Sequence, residues 1–293
     1  MLEELFRKAV DLGRKLAEME RVRFTELLER ARSVWREYAP APPARDLNVM
    51  AVDSSWNIRL YEGFYVYALR AAAVDEAQEA HHPVIEFDLI SRDSKGLTPE
   101  NRVKLVAENA EHYVAEQASQ EADLVLVDGS LIARLESAEN MLRDKPAYPE
   151  YLSLARSLWG RDNVVFISKY SQDSSLLSGE LGDIYYLKLA TSEQGYALVP
   201  SHERCKRDDI PITTAYVRLV EHSSPLKVEI PATVGEDLIR WIIDALAPRS
   251  VKGYPYALYL AHRAVLISDR LMEMLCKAAG LVGLSSPREV LEI

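Results

Sequence analysis

The stretch Leu124-Val125-Leu126-Val127-Asp128-Gly129-Ser130 constrains this chain more than any other. Four consecutive apolar residues without polar alternation form a strand where both faces are covered, as in the middle of a sheet flanked by helices. A carboxylate follows at the C-terminal tip, and the chain then turns through Gly and Ser. Ligand sites of open α/β sheets lie beyond the carboxyl ends of such strands, so Asp128 is positioned for a site. A charge there needs a cation, a basic side chain or backbone donors close by, because an unpaired buried carboxylate is too costly to keep. The competing structural role is a turn cap.

The pattern occurs twice. Met50-Ala51-Val52 runs into Asp53, again followed by small hydroxyl residues, Ser54 and Ser55. From Asn48 to Ile90 the segments NVMAVDSSW, FYVYALRAAAVD and PVIEFDLIS read as a three-strand antiparallel meander. A long helix follows, opened by Thr98 as N-cap, Pro99 at the first helical position and Glu100 in the first turn. Helical stretches around 137–143 and 149–159 separate the Asp128 strand from a second buried-looking strand, NVVFISK, which ends in Lys169. This order matches a sheet in which the first strand lies beside the fourth, with Asp53 and Asp128 facing one another across the pair. The expected fold is α/β: a ribonuclease-H-like mixed sheet flanked by helices.

The flanks elaborate that core. Residues 2–38 carry Leu12, Leu16, Met19, Leu27, Ala31 and Val34 at helical intervals and stop at the proline-rich APAPPAR. This N-terminal helix packs on its own domain or forms a dimer contact. After Lys169 the segments IYYLKLA, GYALVPS, TAYVRLVE and LKVEIPA read as a second antiparallel strand group. Two helices close the chain, GEDLIRWIIDALAP and the longer YPYALYLAHRAVLISDRLMEMLCKAAG, with Gly280 as a C-terminal cap. Without a repeat, a low-complexity tract or an interdomain linker, residues 1–293 are expected to form a single domain. It divides into a helical extension at 1–40 and a core with insertions at 46–293.

Composition narrows the function classes. The hydrophobic fraction of 48% is that of a globular chain. The two cysteines, Cys205 and Cys276, have neither disulfide-framework nor thiolate-metal spacing, which fits a reducing cytoplasm. No run reaches the roughly 20 apolar residues that span a bilayer, so no membrane association is expected. A net charge of −10 argues against broad wrapping of nucleic acid, whose affinity comes mostly from Lys and Arg. It is compatible with a nuclease, because a centre that gathers carboxylates for divalent cations is locally acidic.

Paired carboxylates at an accessible sheet edge suit hard cations, Mn²⁺ or Mg²⁺, and such ions support phosphodiester hydrolysis. The aspartic-protease alternative lacks its D-T-G or D-S-G signature, since position 53 reads Asp53-Ser54-Ser55. A small-ester phosphatase lacks a glycine-rich phosphate loop. Ser54, Ser55 and Ser130 stand in no G-x-S-x-G elbow and read as turn formers. Asp173 and Asp183 follow Lys169 as further acids without an assigned role.

AVDSSW near residue 50, LVLVDGSL near 128, ISK at 167–169 and GYPYALYLAHRAV near the C-terminus, in this order, resemble the NurA nuclease family. The resemblance spans Asp53 to His262. It implies a ribonuclease-H-like core, a homodimer, and Mn²⁺-dependent cleavage with Mg²⁺ as the alternative ion. It implies 5′-to-3′ exonuclease action on single- and double-stranded DNA, single-strand endonuclease action, and work in DNA end resection and double-strand break repair with a hexameric HerA-type ATPase. Carried onto this sequence, Asp53, Asp128 and His262 are metal ligands. The long helix contributes a glutamate, for which Glu108 and Glu111 are both candidates and Glu108 is taken. Lys169 steadies the scissile phosphate, and Tyr256, flanking Pro255 together with Tyr254, joins Lys169 and Trp56 in contacting DNA. The short span between Lys169 and Gly253 leaves little room for accessory DNA-gripping elements. A noncatalytic dimeric adaptor of the ATPase ring is the rival reading.

Overall fold

The computed structural model describes residues 2–41, 43, 45–90, 97–143, 147–200, 202–203 and 211–281, with residues 16–23 and 202–203 described in backbone only. Cys205 lies outside the described residues. In chain order the elements are α1 (Leu2–Val34), β1 (Arg36–Glu37), β2 (Val49–Tyr61), β3 (Phe64–Val74), β4 (Ala80–Ile90) and α2 (Pro99–Ala118). There follow β5 (Leu124–Asp128), α3 (Leu131–Leu142), α4 (Ala147–Arg156), β6 (Val164–Ser168), α5 (Asp183–Ala190), β7 (Gly195–Leu198), β8 (His202–Glu203) and β9 (Pro211–Arg218). The last are β10 (Leu226–Ile230), α6 (Glu236–Leu246), β11 (Ser250–Val251), β12 (Tyr254–Pro255), α7 (Tyr256–Val265) and α8 (Asp269–Ala278).

The apolar run at 124–127 is completely buried and forms the middle of a large mixed sheet ordered β1-β7-β9-β10-β6-β5-β2-β3-β4. β2, β3 and β4 make the expected antiparallel meander. β5 lies parallel to both β2 and β6, so the first strand of the meander does adjoin the strand that ends in Asp128. Val52 pairs with Val127, which brings the two aspartates together at the next position. β5 ends there, whereas β2 continues to Tyr61 alongside β3. The resulting notch in the sheet lies where Asp128 ends β5 beside Asp53 within β2.

Helices cover both faces, which is why β5 needs no polar alternation. On one side α2, α3 and α4 pack Val114, Leu131, Leu135 and Tyr151 against Val52, Val127 and Phe166. On the other, α6 and α7 place Ile239, Ile243, Leu258 and Ala261 against Ala51, Leu126 and Ile167. Burying each such aliphatic side chain contributes about 1.5–3 kcal/mol, so both layers are needed to hold the strand ends in place. In α2, Thr98 accepts the Asn101 amide at 3.2 Å, while Val103, Ala107, Ala110, Val114 and Ala118 present one buried stripe to the sheet.

Three expectations need correction. The antiparallel group β7-β9-β10 exists, but it is continuous with the meander sheet because β10 pairs with β6. IYYLKLA is helical, not extended: it is α5, whose Tyr186 and Leu187 pack against Ala31 and Trp35 from the end of α1 and the residue following it. A short apolar run suits either state, and this tertiary contact decides it. The closing helix is two helices. Ile267 donates its amide to Ser55 Oγ at 3.0 Å, and Ser268 restarts the helix by accepting the Leu271 amide at 3.2 Å. Gly280 has φ +75° after α8, and Leu281 N bonds to Cys276 O at 3.0 Å, a glycine-terminated helix end.

The N-terminal helix divides in its surroundings. Its C-terminal part is anchored by Arg30 to the Leu176 and Leu177 carbonyls and by Arg32 to the Ala190 carbonyl. Nearer its start, Leu2, Leu5, Phe6, Val10 and Leu12 are exposed.

Candidate metal centre

Asp53 is buried at the notch, and its Oδ2 lies 2.9 Å from Nδ1 of His262 on α7. Its other oxygen accepts the Ser54 amide at 2.8 Å. Strand alternation turns Asp53 toward α7 and its neighbour Ser54 toward α2, where the Ser54 hydroxyl donates to Glu111 Oε1. The carboxylates therefore reach the notch from both sides of the sheet.

Burial first, and then the negative charges of Glu111 and Asp128, push the Asp53 carboxyl up to about 6, against the pull of His262 and the Ser54 amide. Asp128 Oδ1 accepts a hydrogen bond from the Tyr254 hydroxyl at 3.3 Å. Burial, together with Asp128, raises the pKa of that phenol, so it remains a donor. Lys169, exposed just beyond β6, holds its Nζ 4.0 Å from the centre of the Tyr254 ring.

A hairpin sets Tyr254. β11 and β12 pair through Val251 and Tyr254, and Lys252 and Gly253 between them have φ of +54° and +82°. This is the left-handed pair of a tight two-residue hairpin. A Cβ on Gly253 would meet Ser223 Oγ at 2.3 Å, so the turn passes too close to Ser223 for a side chain.

The two glutamates of α2 separate clearly. Glu111 is bonded to Ser54 and to Arg134 at the notch. Glu108 accepts the Tyr151 hydroxyl at 2.8 Å and lies 3.7 Å from Lys104. Burial raises its pKa although Arg134, Tyr151 and Lys104 favour the charged form. The sequence favours Glu108 as the site glutamate, but the hydrogen bonds join Glu111 to the strand that carries Asp53. The three-residue offset on a helix puts the two acids on neighbouring faces, and only packing distinguishes them.

Arg134 on α3 is a residue that no motif indicates. Its Nη2 donates to the Asp128 carbonyl at 2.6 Å and to Glu111 Oε2. Burial works against the guanidinium charge, but Glu111 and Glu108 outweigh it and raise its pKa. Gly129, with φ +104°, makes room, since a Cβ there would meet Arg134 Nη2 at 3.3 Å. The buried His112 beside it is held neutral, its pKa lowered to about 3 by burial and then by Arg134.

The remaining candidates fall elsewhere. Trp56 lies in β2, about one-third exposed, on the α2 side by alternation. Tyr256 is half-exposed at the start of α7 and stacks on Tyr259. Asp183 is structural: it accepts the Leu176 and Leu177 amides and the Tyr216 hydroxyl. Asp173 pairs with the buried Lys227 at 2.8 Å. Ser130 caps α3, and its hydroxyl also donates to Glu229.

The donors at the notch, three carboxylates and one imidazole, suit a hard divalent ion. No three of them have ligand atoms within 4.8 Å of one another. Among the described residues the group that does meet that spacing is Asp75 and Glu79, in the turn between β3 and β4, with His81 at the start of β4. There the hydrogen bonds of the turn, Glu79 N and His81 Nε2 to Asp75, account for the arrangement.

Fold and centre together define an α/β protein that carries a carboxylate–imidazole cluster at the C-terminal edge of its parallel strands. The chain belongs to the NurA family: the NurA domain matches residues 47–267. It is 24% identical over 295 residues to the DNA double-strand break repair nuclease NurA of Saccharolobus solfataricus, covering 87% of each chain. It is 24% identical over 281 residues to the protein of the same name from Sulfurisphaera tokodaii, covering 83% of each. The fold is that of the crystal structure of the NurA nuclease from Sulfolobus solfataricus, with a TM-score of 0.75, 22% identity and coverage of 96% of this chain and 97% of that one. A crystal structure of NurA bound to dAMP and manganese matches with a TM-score of 0.67, 15% identity and full coverage of both chains.

Proposed function

We propose that the chain is a metal-dependent DNA nuclease that hydrolyses phosphodiester bonds at the notch. The observation that carries this reading is the convergence of Asp53, Glu111 and Asp128 with His262 at one notch in the sheet, where burial and then the charges of Glu111 and Asp128 raise the Asp53 pKa. Manganese is the ion favoured by this mixture of oxygen and imidazole donors, with Mg²⁺ the alternative. When bound, such an ion supplies Lewis acidity toward a phosphoryl oxygen and an activated water. The protein's own contribution is geometric. Arg134 and Ser54 fix the orientation of Glu111, Tyr254 fixes Asp128, and Asp53 and His262, which hold each other, would be the groups to hold the ion.

In this reading Lys169 meets the scissile phosphate as a point charge, steadied by the Tyr254 ring. Glu108 ties α2 to Tyr151 of α4 and stays off the ion. The names of the relatives support DNA as the substrate and double-strand break repair as the setting. The family resemblance supports 5′-to-3′ exonuclease and single-strand endonuclease action with a HerA-type ATPase in the cytoplasm. The exposed apolar residues Leu2, Leu5, Phe6, Val10 and Leu12 of α1 support a homodimer built through that helix. No described helix is long and apolar enough to cross a membrane.

The test is an assay with Mn²⁺ on end-labelled single- and double-stranded DNA, comparing the natural chain with Asp53→Ala. Cleavage by the natural chain and its loss in the variant is the expected result. Equal cleavage by both would remove Asp53 and the notch from the mechanism.

A further inference from the structure

The outer face of α7 carries an aromatic and basic strip that the metal centre does not use. Tyr256 and Tyr259 are 46% and 45% exposed, and their rings stack with centroids 5.6 Å apart at 24°. One turn further on, the Arg263 guanidinium lies 5.9 Å from the Tyr259 ring centre, and its Nη1 donates to the Tyr259 hydroxyl at 3.1 Å. The i, i+3, i+7 spacing puts all three on one side of the helix, along a rise of about 10 Å. His262 is exposed at the margin of this face, facing Asp53. At the N-terminal end Tyr256 also walls a cleft of about 300 Å³ with Pro248, Arg249, Val251 and Leu260.

Two features set this strip apart from ordinary surface. Half-exposed tyrosines stacked parallel leave an apolar face to water, and nothing in the core requires it; the buried face of the helix is supplied by Ala257, Leu258, Ala261 and Val265. Arg263 also has no carboxylate within ion-pair distance among the described residues. On a chain of net charge −10, an arginine left unneutralised on an aromatic ledge beside the carboxylate centre is complementary to a strand whose bases stack and whose phosphates are anionic.

We propose that the Tyr256–Tyr259–Arg263 face of α7 is a binding track for single-stranded DNA. It stacks one or two bases on the tyrosines, neutralises a phosphate with Arg263, and delivers the strand to His262 and the notch. This inference rests on the nuclease reading for its direction, but its binding step needs neither metal nor cleavage. A duplex, whose bases are stacked internally, offers the tyrosines nothing comparable, so the track discriminates in favour of unpaired strands.

The experiment measures binding in EDTA, where no cleavage intervenes, by fluorescence anisotropy of a labelled oligothymidylate and by 2-aminopurine emission. The Tyr256→Ala/Tyr259→Ala double variant is expected to weaken single-strand binding about tenfold and to lose the 2-aminopurine quenching. The Tyr256→Phe/Tyr259→Phe variant, which keeps both rings, retains both signals. Arg263→Gln lowers the salt dependence by roughly one phosphate contact. Circular dichroism confirms that each variant is folded, as half-exposed positions allow. The proposal is overturned if the folded double alanine variant binds the oligonucleotide as the natural chain does. It is also overturned if that variant changes only the sedimentation coefficient, which would make the face a contact between copies of the chain. Binding through the tyrosines without any Mn²⁺-dependent cutting would sustain the track and sink the nuclease reading. Cutting with binding indifferent to the tyrosines would do the reverse.

Discussion

Asp53 and His262 are 209 positions apart in the chain, yet Nδ1 of the histidine lies 2.9 Å from Oδ2 of the aspartate. One belongs to the middle of the sheet and the other to the helix that crosses it, so the pair reports directly on whether α7 is docked. The notch, the hairpin that carries Tyr254 and the strip of exposed aromatics all depend on that docking.

The pair predicts a pH signature for metal-free protein. Folding raises the Asp53 carboxyl to about 6 from an ordinary value of 3.8, so the native state keeps a proton that the unfolded chain releases. The stability this contributes is complete below the ordinary value and is lost as pH rises through about 6. Urea denaturation in EDTA between pH 4 and 7 should show a downward trend in the natural chain that Asp53→Asn flattens. Parallel profiles for the two proteins would refute the assignment. Added Mn²⁺ should restore stability at the upper end, because the ion takes over from the proton.

The two glutamates of α2 should behave differently. Glu111→Gln is expected to reduce Mn²⁺ affinity by about tenfold or more, since even partners one shell further out typically cost 10–100-fold. Glu108→Gln should leave that affinity unchanged and alter thermal stability instead, through its bond to Tyr151. Titration of the free-ion electron paramagnetic resonance signal measures both. Equal losses of affinity would return Glu108 to the centre.

Tyr254→Phe removes one donor to Asp128 and keeps the ring beneath Lys169. A hydrogen bond to a charged group contributes about 1.5–3 kcal/mol, so kcat should fall roughly 10- to 100-fold while the KM for DNA changes little. A rise in KM at constant kcat would instead make Tyr254 a substrate contact.

Gly129→Ala should destabilise the protein by about 1 kcal/mol or more, because a φ of +104° strains any side chain and the added methyl meets Arg134. Denaturant midpoints measure this, and an unchanged midpoint would show that the turn relaxes freely. Mn²⁺ affinity should fall in the same variant, since Arg134 ties Glu111 to the Asp128 carbonyl.

The pairing of the two Asp-tipped strands was legible because an unbroken apolar run demands two covered faces and the order of elements matches a sheet with β2 beside β5, as found. Thr98, Pro99 and Gly280 could likewise be read from capping chemistry alone. What sequence reasoning missed depends on which way a side chain turns. Glu108 and Glu111 differ only in packing partners, and Arg134 reaches the centre because Gly129 leaves it space. Tyr254, read from the sequence only as a neighbour of Pro255, points its hydroxyl at Asp128 because a Lys252–Gly253 turn aims it there. IYYLKLA became helix because its apolar residues meet the end of α1, a contact that no local propensity contains.

Manganese anomalous diffraction from crystals of the natural chain soaked in Mn²⁺ tests the central claim most directly. The account predicts an anomalous peak at the notch, within coordination distance of carboxylate oxygens from Asp53 and Asp128 and with Glu111 and His262 turned toward it. A peak confined to Asp75, Glu79 and His81, or none near the strand tips, would contradict it.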